Sequence, residues 1–248
     1  MSDRETVDEI GAEAVEPGFT ALVVAAFVEP SKVGAAALRQ GFRSRAWLAL
    51  GLTLVLALIG TAVCLPVNVE YNIEQMQRQG SAGGDPEAQA KMVEMFRGPV
   101  GYVVFGGSWL VMIVIGMALV TGGLHLGQLL LSGAARFGQV LAVTVYASVV
   151  GFGVGTLLKG ILIRLKGSLE VSLGLGAVLS SRSFYDPLRS VLDMVDFFSL
   201  WAAWSAGVAL AVSARLSKGA GLGVSLVVYV VLMGIGTAMR IIGGRFAS

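Results

Sequence analysis

Five long apolar segments dominate the chain, and short polar segments separate them. A helix rises about 1.5 Å per residue, so about 20 apolar residues cross the roughly 30 Å hydrocarbon core of a bilayer. The pattern therefore predicts an all-α integral membrane protein with five transmembrane helices, which form a membrane domain over residues 46–248. The predicted spans are residues 46–67, 100–131, 139–163, 190–214 and 222–242.

The residues before the first span divide into an acidic part and an apolar, basic part. Residues 1–17 carry six acidic side chains against one arginine and lack helical periodicity, which predicts a disordered tail. Residues 18–45 contain apolar runs too short to span a membrane and are interrupted by Pro30, so we expect short amphipathic helices at the interface. The alternative is a packed soluble cap. The side chains expected to contact anionic lipid headgroups are Arg39, Arg43 and Arg45.

The polar connections carry helix and turn signals of their own. Pro66 marks the predicted end of the first span, and Asp85 with Pro86 can start a new helix, so residues 68–99 should form two short helices joined by a turn. Residues 164–186 alternate apolar with small or polar positions, which is compatible with a strand. Such a strand would have to lie in water or at the interface, because a lone strand cannot satisfy its backbone in lipid.

The fourth span has the clearest N-terminal signal. Asp186 is a candidate N-cap, and Pro187 fits the first helical position. After this span, three glycines predict a tight connection to the fifth: Gly219, Gly221 and Gly223.

Composition supports the membrane assignment and argues against several kinds of site. Of the 248 residues, 55% are apolar and 14% charged, and the mean hydropathy of +0.79 is too high for a soluble globule of this size. The net charge of +2 is spread in short clusters, which leaves no basic surface for nucleic acid. One cysteine and one histidine exclude a zinc site built from several imidazoles, and no metal or cofactor is predicted. The acidic start argues against a cleaved secretory signal.

Three polar side chains in or beside the predicted spans are candidates for chemistry. Asp193 and Asp196 lie on adjacent faces at the start of the fourth span, where they could bind a cation or relay protons. The alternative is that the helix dipole favours acids there and that Arg189 pairs with Asp193. His125 is either a proton-sensitive group among closely packed helices or an interfacial histidine at the end of the second span.

Glycine accounts for 34 residues, and three pairs in or near the spans are four residues apart. This spacing lets helix backbones approach closely, which supplies packing energy in lipid, where helices gain no hydrophobic force from each other. We therefore expect helix-packing or partner-binding positions, rather than a conducting pathway, at Gly123 and Gly127, Gly151 and Gly155, and Gly219 and Gly223.

Three stretches carry a familiar pattern. They are FVEPSKVGAAAL before the first span, GAARFGQVLAVTVYAS around the start of the third, and DFFSLW in the fourth, with Asp196, Phe198 and Trp201. Together they resemble the bacterial branch of the Yip family, the Ypt/Rab-interacting membrane proteins, over about residues 27–242. SGAARF stands where a double-glycine turn is typical of the family. The resemblance implies five spans and a cytoplasmic N-terminus. Eukaryotic members bind Rab-type GTPases and other Yip proteins.

The predicted function is that of a non-catalytic membrane scaffold that binds another membrane protein or a copy of itself. No metalloprotease, phosphate-loop or nucleophile-elbow motif occurs, so an enzyme is not expected. Two alternatives stay open: a subunit of a transporter or a small carrier that uses Asp196 and His125, and a lipid-modifying enzyme. The small-molecule substrate is not predicted. Arginines ahead of the first span favour a cytoplasmic N-terminus and an outside C-terminus. The resemblance to the bacterial branch of the Yip family implies a bacterial inner membrane.

Overall fold

The computed structural model describes residues 17–39, 42–80, 86–169, 171–179 and 186–246, and these residues are mostly helical. A π-helical segment, Val149–Gly155, joins the helices Phe137–Ser148 and Thr156–Lys166, and a short 3-10 helix covers Leu175–Leu179. The described part of residues 164–186 contains no strand, although Gly174 forms an isolated bridge with Asp196. The helices are α1 Phe19–Val28, α2 Pro30–Ala37, α3 Phe42–Gly80, α4 Pro86–Arg97, α5 Pro99–Leu130, α6 Phe137–Ser148, α7 Thr156–Lys166, α8 Pro187–Met194, α9 Phe197–Ser213 and α10 Lys218–Phe246.

Within the described residues, four helical stretches are long and apolar enough to cross a membrane, so the chain is an integral membrane protein. They form helices because only a helix satisfies every backbone hydrogen bond within one segment in lipid. The predicted spans 46–67, 100–131, 139–163 and 222–242 overlap these stretches. The stretches are Arg45–Glu74, Pro99–Leu130, Phe137–Lys166 and Lys218–Met239.

The prediction of one continuous helix over 190–214 is wrong, because α8 and α9 divide that segment at Val195 and Asp196. Asp196 is the N-cap of α9: its Oδ1 accepts a 3.0 Å hydrogen bond from the backbone N–H of Ser199. Its pairing with Gly174 further holds the chain out of helical conformation. The remaining apolar helix α9 has only 17 residues.

The first span and the loop after it also differ from the prediction. Pro66 lies inside α3, which continues to Gly80, since the proline removes only one backbone hydrogen bond from a long helix. The first of the two expected loop helices is therefore the end of α3. The second is confirmed as α4, which begins at Pro86. The turn expected at Asp85 lies outside the described residues.

The start of α8 is confirmed, whereas the start of α10 differs from the prediction. The carboxylate of Asp186 accepts a 3.0 Å hydrogen bond from the backbone N–H of Arg189. The three glycines expected to form a tight connection belong to α10 instead. That helix begins earlier because the hydroxyl of Ser217 accepts a 3.2 Å hydrogen bond from the backbone N–H of Ala220.

The N-terminal helices α1 and α2 pack into the bundle. Leu22, Ala26 and Val33 are at most 1% exposed, within a core that also contains residues of α3, α6 and α9. The hydroxyl of Ser205 in α9 donates a 2.8 Å hydrogen bond to the carbonyl of Ala26. Residues 1–16 of the predicted tail lie outside the described residues, and the interfacial position of residues 18–45 stays a prediction.

Backbone contacts at glycine hold the long helices together. A Cβ on Gly160 of α7 would lie 2.7 Å from the carbonyl carbon of Gly60 in α3. In the same way, a Cβ on Gly221 of α10 would lie 2.5 Å from the carbonyl oxygen of Gly207 in α9. Both crossings therefore require glycine, because any side chain would force the backbones apart.

Candidate functional site

A cavity of about 400 Å³, here called the interior cavity, lies within the bundle. Its walls come from α5, the continuous α6–α7 helix, α8, α9 and α10. Most of the wall is apolar, but seven side chains bring polar atoms to it: Thr144, Ser148, Asp193, Asp196, Ser199, Ser225 and Tyr229. Small-molecule sites have this size and this combination of apolar walls with a few polar groups.

The break between α8 and α9 brings two carboxylates to the interior cavity. Asp196 accepts hydrogen bonds from both the backbone N–H and the hydroxyl of Ser199, so its position at the start of α9 is well determined. Asp193 lies in the last turn of α8, and its side chain is 12% exposed. Gly176 packs against it, since a Cβ there would lie 2.7 Å from Cγ of Asp193.

A buried guanidinium accompanies the two carboxylates. Arg189 is 1% exposed, and its Nε lies 3.9 Å from Oδ2 of Asp193, as expected for residues four apart on a helix. The formal charges of Arg189, Asp193 and Asp196 add up to −1. Charged side chains among transmembrane helices are costly, and those that occur there usually serve a function.

Hydrogen bonds from α10 hold the short helix α8 against the bundle. The hydroxyl of Tyr229 donates a 2.6 Å hydrogen bond to the carbonyl of Met194, the last residue of α8. The hydroxyl of Thr237 donates a 3.2 Å hydrogen bond to the sulfur of the same methionine. The position of Asp193, one residue earlier, therefore depends on α10.

The π-helical segment contributes another part of the wall, through Gly151 and Phe152. A Cβ on Gly151 would lie 3.0 Å from Cβ of Ala202 in α9, so small residues on both helices set the distance between them. π-helical turns inside α-helices are rare and often occur at functional sites. The apolar pattern of residues 139–163 predicts a regular helix and gives no indication of this π-helical segment.

His125 is not part of the interior cavity. Its Nδ1 lies 3.2 Å from Nε2 of Gln128, and its ring meets that of Phe137 edge-on at 5.5 Å. These contacts are at the end of α5, next to the connection to α6. A carrier that uses Asp196 and His125 as one site is therefore not supported by their positions.

The predicted glycine pairs have different surroundings. Gly123 and Gly127 of α5 face Val228 and Val224 of α10, with hypothetical Cβ distances of 3.0 and 2.5 Å. Gly151 and Gly155 face Ala202 and Phe198 of α9. Both pairs thus pack within the chain. At the third pair, Gly219 and Gly223, the described residues place no atom from outside the helix's own backbone within 4 Å of the Cβ positions.

The predicted headgroup arginines lie at the N-terminal side of α3. Arg39 is exposed. The Nη1 of Arg45 donates a 2.9 Å hydrogen bond to the carbonyl of Pro17. The side chain of Arg43 lies outside the described part of the chain.

Sequence reasoning missed the hydroxyl groups at the interior cavity. Ser199 follows Asp196 by three residues, which is the spacing of an N-cap and its partner and could have indicated the helix break. Ser225 and Tyr229 sit four residues apart on one face of the fifth span, an unusual polar pair in an apolar helix. Their hydroxyls donate to carbonyls of α9 and α8, at 2.6 Å each.

Neither metal ligation nor comparison with known proteins identifies the site. The described residues contain no group of three or more His, Cys, Asp or Glu side chains that could hold a metal ion. Comparison with protein-family models, curated proteins and solved structures finds no match. The resemblance to the Yip family therefore stays a prediction, and the interior cavity is the basis for inferring function.

Proposed function

We propose that the protein is a non-catalytic membrane carrier of the Yip-like type, and that its interior cavity binds a small amphipathic cation. The supporting observation is the cavity of about 400 Å³ with Asp193 and Asp196 on a mostly apolar wall. An alkyl group would gain free energy from the apolar wall, and a cationic group from the net negative charge. A scaffold would need no carboxylates at this position.

The interrupted helix supports transport rather than simple binding. Carriers commonly bind their substrates near the middle of the membrane, where a transmembrane helix is broken and its polar ends face the substrate. The break between α8 and α9 resembles this arrangement, since Asp196 at the break lines the interior cavity, and the backbone of Gly174 pairs with that of Asp196 there. Because α8 has only eight residues, its movement would change access to the cavity without disturbing the long helices.

We infer that α9, preceded by α8, also crosses the membrane, as the fourth of five crossings in chain order. The α3 helix and the α6–α7 helix run in the same direction, since Tyr146 contacts Arg45 and Gly160 contacts Gly60 farther along. Gly127, near the end of α5, contacts the beginning of α10, so α10 starts on the side where α5 ends and α6 begins. The chain leaves α7 on the opposite side and therefore needs one further crossing.

Five crossings put the two termini on opposite sides. The arginines near the start of α3 favour a cytoplasmic N-terminus and an outside C-terminus. The inner membrane of a bacterium remains the proposed location.

Ligand binding can be tested with hexyltrimethylammonium, a permanently charged amphipathic cation, and hexanol as its neutral counterpart. At ten times its dissociation constant, the cation should stabilise the folded protein by about 1.4 kcal/mol, or about 4 °C in detergent. Hexanol should give a smaller shift. In proteoliposomes, the protein should also carry the labelled cation across the bilayer.

Two aspartates provide a matched pair of variants. Asp196→Asn and Asp186→Asn each remove one charge from a helix N-cap while keeping a side-chain acceptor, but only Asp196 lines the interior cavity. We expect Asp196→Asn to lose both the stabilisation and the flux, and Asp186→Asn to keep them. Equal behaviour of the two variants, or no response of the unaltered protein to the cation, would contradict the proposal.

The scaffold function is a second candidate, supported by the open surface around Gly219 and Gly223 of α10. A second membrane helix could approach α10 closely there. Crosslinking in native membranes tests it: Gly219→Leu and Gly223→Leu should abolish a crosslinked complex, whereas Gly107→Leu, on another face with open space, should not. Gly151 and Gly155 are unsuitable for this test because they pack against α9 of the same chain.

The lipid-modifying enzyme is not proposed. Ser199 donates its hydroxyl hydrogen bond to Asp196, and Ser225 donates to the carbonyl of Ala203. A serine nucleophile would need a nearby base such as histidine, and His125 contacts Gln128 and Phe137 instead.

A further inference from the structure

The helices α1 and α2 form a hairpin with an apolar groove between them, here called the hairpin groove, of about 670 Å³. On one side the groove is lined by Ala21, Val24 and Val28 of α1. On the other side it is lined by Ala35 of α2 and by Arg39, which follows α2. Pro17 and Arg39 line its open end, since they are the residues farthest from the connection between the helices. Glu29 and Lys32, which form an ion pair, lie at its closed end.

The hairpin runs from the N-terminal side of α3 toward the interior of the bundle. At the open end, Arg45 donates a hydrogen bond to the carbonyl of Pro17. Near the closed end, Nε1 of Trp201 donates a 2.9 Å hydrogen bond to the carbonyl of Phe27, and Trp201 lies in the second turn of α9. The closed end of the groove therefore lies beside the beginning of α9. It is next to the interior of the bundle and not at an end of the bundle.

The dimensions and apolarity of α1 match one leaflet of a bilayer. Its ten residues rise about 15 Å, half of the roughly 30 Å hydrocarbon core. α1 contains no charged residue, and two of the exposed side chains that line the groove are large and apolar: Val24 is 58% and Val28 65% exposed. Thr20 is the exposed polar residue of α1. Such a helix is stable beside lipid chains and costly in water.

We propose that the hairpin groove binds an anionic phospholipid of the leaflet on the Arg45 side, with an acyl chain between α1 and α2 and the phosphate at Arg39. The charges complement this ligand. The open end carries the exposed Arg39 and, beside Pro17, Arg45, whereas Glu29 is the one carboxylate among the described residues that line the groove and is paired with Lys32. The preceding residues 1–16 carry six carboxylates in sequence and do not match an apolar groove. This inference is independent of the carrier function.

The test measures phospholipid retained by the full chain after purification in mild detergent, by native mass spectrometry. Phosphatidylglycerol and phosphatidylcholine with identical acyl chains are supplied in equal amounts. We expect the protein to retain phosphatidylglycerol preferentially. Arg39→Gln should reduce that retention about fivefold, since one basic side chain near a membrane surface contributes about 1 kcal/mol. Lys218→Gln removes another exposed cation, at the start of α10, and should leave retention unchanged.

A second pair of variants tests the acyl-chain site without changing charge. Ala35→Trp fills the hairpin groove, whereas Ala62→Trp adds the same side chain to an exposed position of α3. We expect loss of bound lipid in the first variant alone, at an unchanged unfolding temperature. Equal retention of the two phospholipids, unchanged retention in Arg39→Gln, or equal loss in both tryptophan variants would overturn the proposal. None of these results depends on cation binding in the interior cavity, so the two proposals fail separately.

Discussion

The contact between Gly60 and Gly160 allows a direct test of the bundle. Gly160→Ala adds one methyl group at the crossing of α3 and α7, where its carbon would lie 2.7 Å from the carbonyl carbon of Gly60. Ordinary contact begins at 3.4 Å, and the carbonyl oxygen of Gly60 would lie closer still, so the two backbones have to separate by at least about 0.7 Å. The neighbouring atoms belong to a helix backbone and cannot rotate away.

The cost of this change can be separated from the general effect of replacing glycine in a helix. Overpacking typically destabilises a protein by about 1–3 kcal/mol, whereas glycine to alanine in a helix otherwise stabilises it by about 0.4–1 kcal/mol. Gly107→Ala in α5 is the matched control, because among the described parts of the chain only the helix's own backbone lies near its Cβ position. Gly160→Ala should therefore be about 2 kcal/mol less stable than Gly107→Ala, which corresponds to about 6 °C in unfolding temperature.

Cys64 provides a local reporter for the same experiment. It is the chain's single cysteine, lies one turn after Gly60 and is 7% exposed. Labelling by a fluorogenic maleimide during heating in detergent measures both the unfolding temperature and the opening of α3. We expect faster labelling below the transition in Gly160→Ala and unchanged labelling in Gly107→Ala. If the two variants unfold at the same temperature and label at the same rate, the close crossing of α3 and α7 is wrong.

Two further predictions concern the short helices. Trp201→Phe removes the N–H that donates to Phe27, so amide exchange across α1 should accelerate by about fivefold, for a hydrogen bond of about 1 kcal/mol. Trp204→Phe is the control, and equal exchange in both variants would refute this role. Tyr229→Phe removes the hydroxyl that holds Met194, so hexyltrimethylammonium should bind about fivefold more weakly in a calorimetric titration. An unchanged affinity would show that α8 does not depend on this hydrogen bond.

The apolar pattern was sufficient to predict the class of fold and most of the long helices. The segments 100–131 and 139–163 correspond to Pro99–Leu130 and Phe137–Lys166, because a backbone in lipid has to form its hydrogen bonds within one helix. The same pattern misplaced the end of α3, since the effect of Pro66 depends on whether the following residues have partners. The residues after Pro66 do have partners, because Nη2 of Arg97, at the end of α4, lies 3.3 Å from Oε2 of Glu70.

The interior cavity could be predicted only in part. Asp193 and Asp196 stand out as acids beside an apolar run, and both lie at the cavity. The helix break between them, where Asp196 pairs with Gly174 from an earlier connection, belongs to the tertiary structure. His125 satisfied the same criterion of a polar residue in an apolar segment, yet it packs elsewhere, because sequence does not specify which faces of two helices meet.

The sequence by itself determined that this chain forms apolar helices in a membrane, because that outcome depends only on the length and hydropathy of each segment. Tertiary structure decided how those helices are used. Gly60 and Gly160 act as partners, and Gly219 and Gly223 remain open, although all four are equivalent as glycines in apolar helices. The hairpin of α1 and α2 is likewise held against α9 by hydrogen bonds that Trp201 and Ser205 donate to carbonyls of α1. Such contacts join residues more than 170 positions apart, beyond the reach of any local pattern.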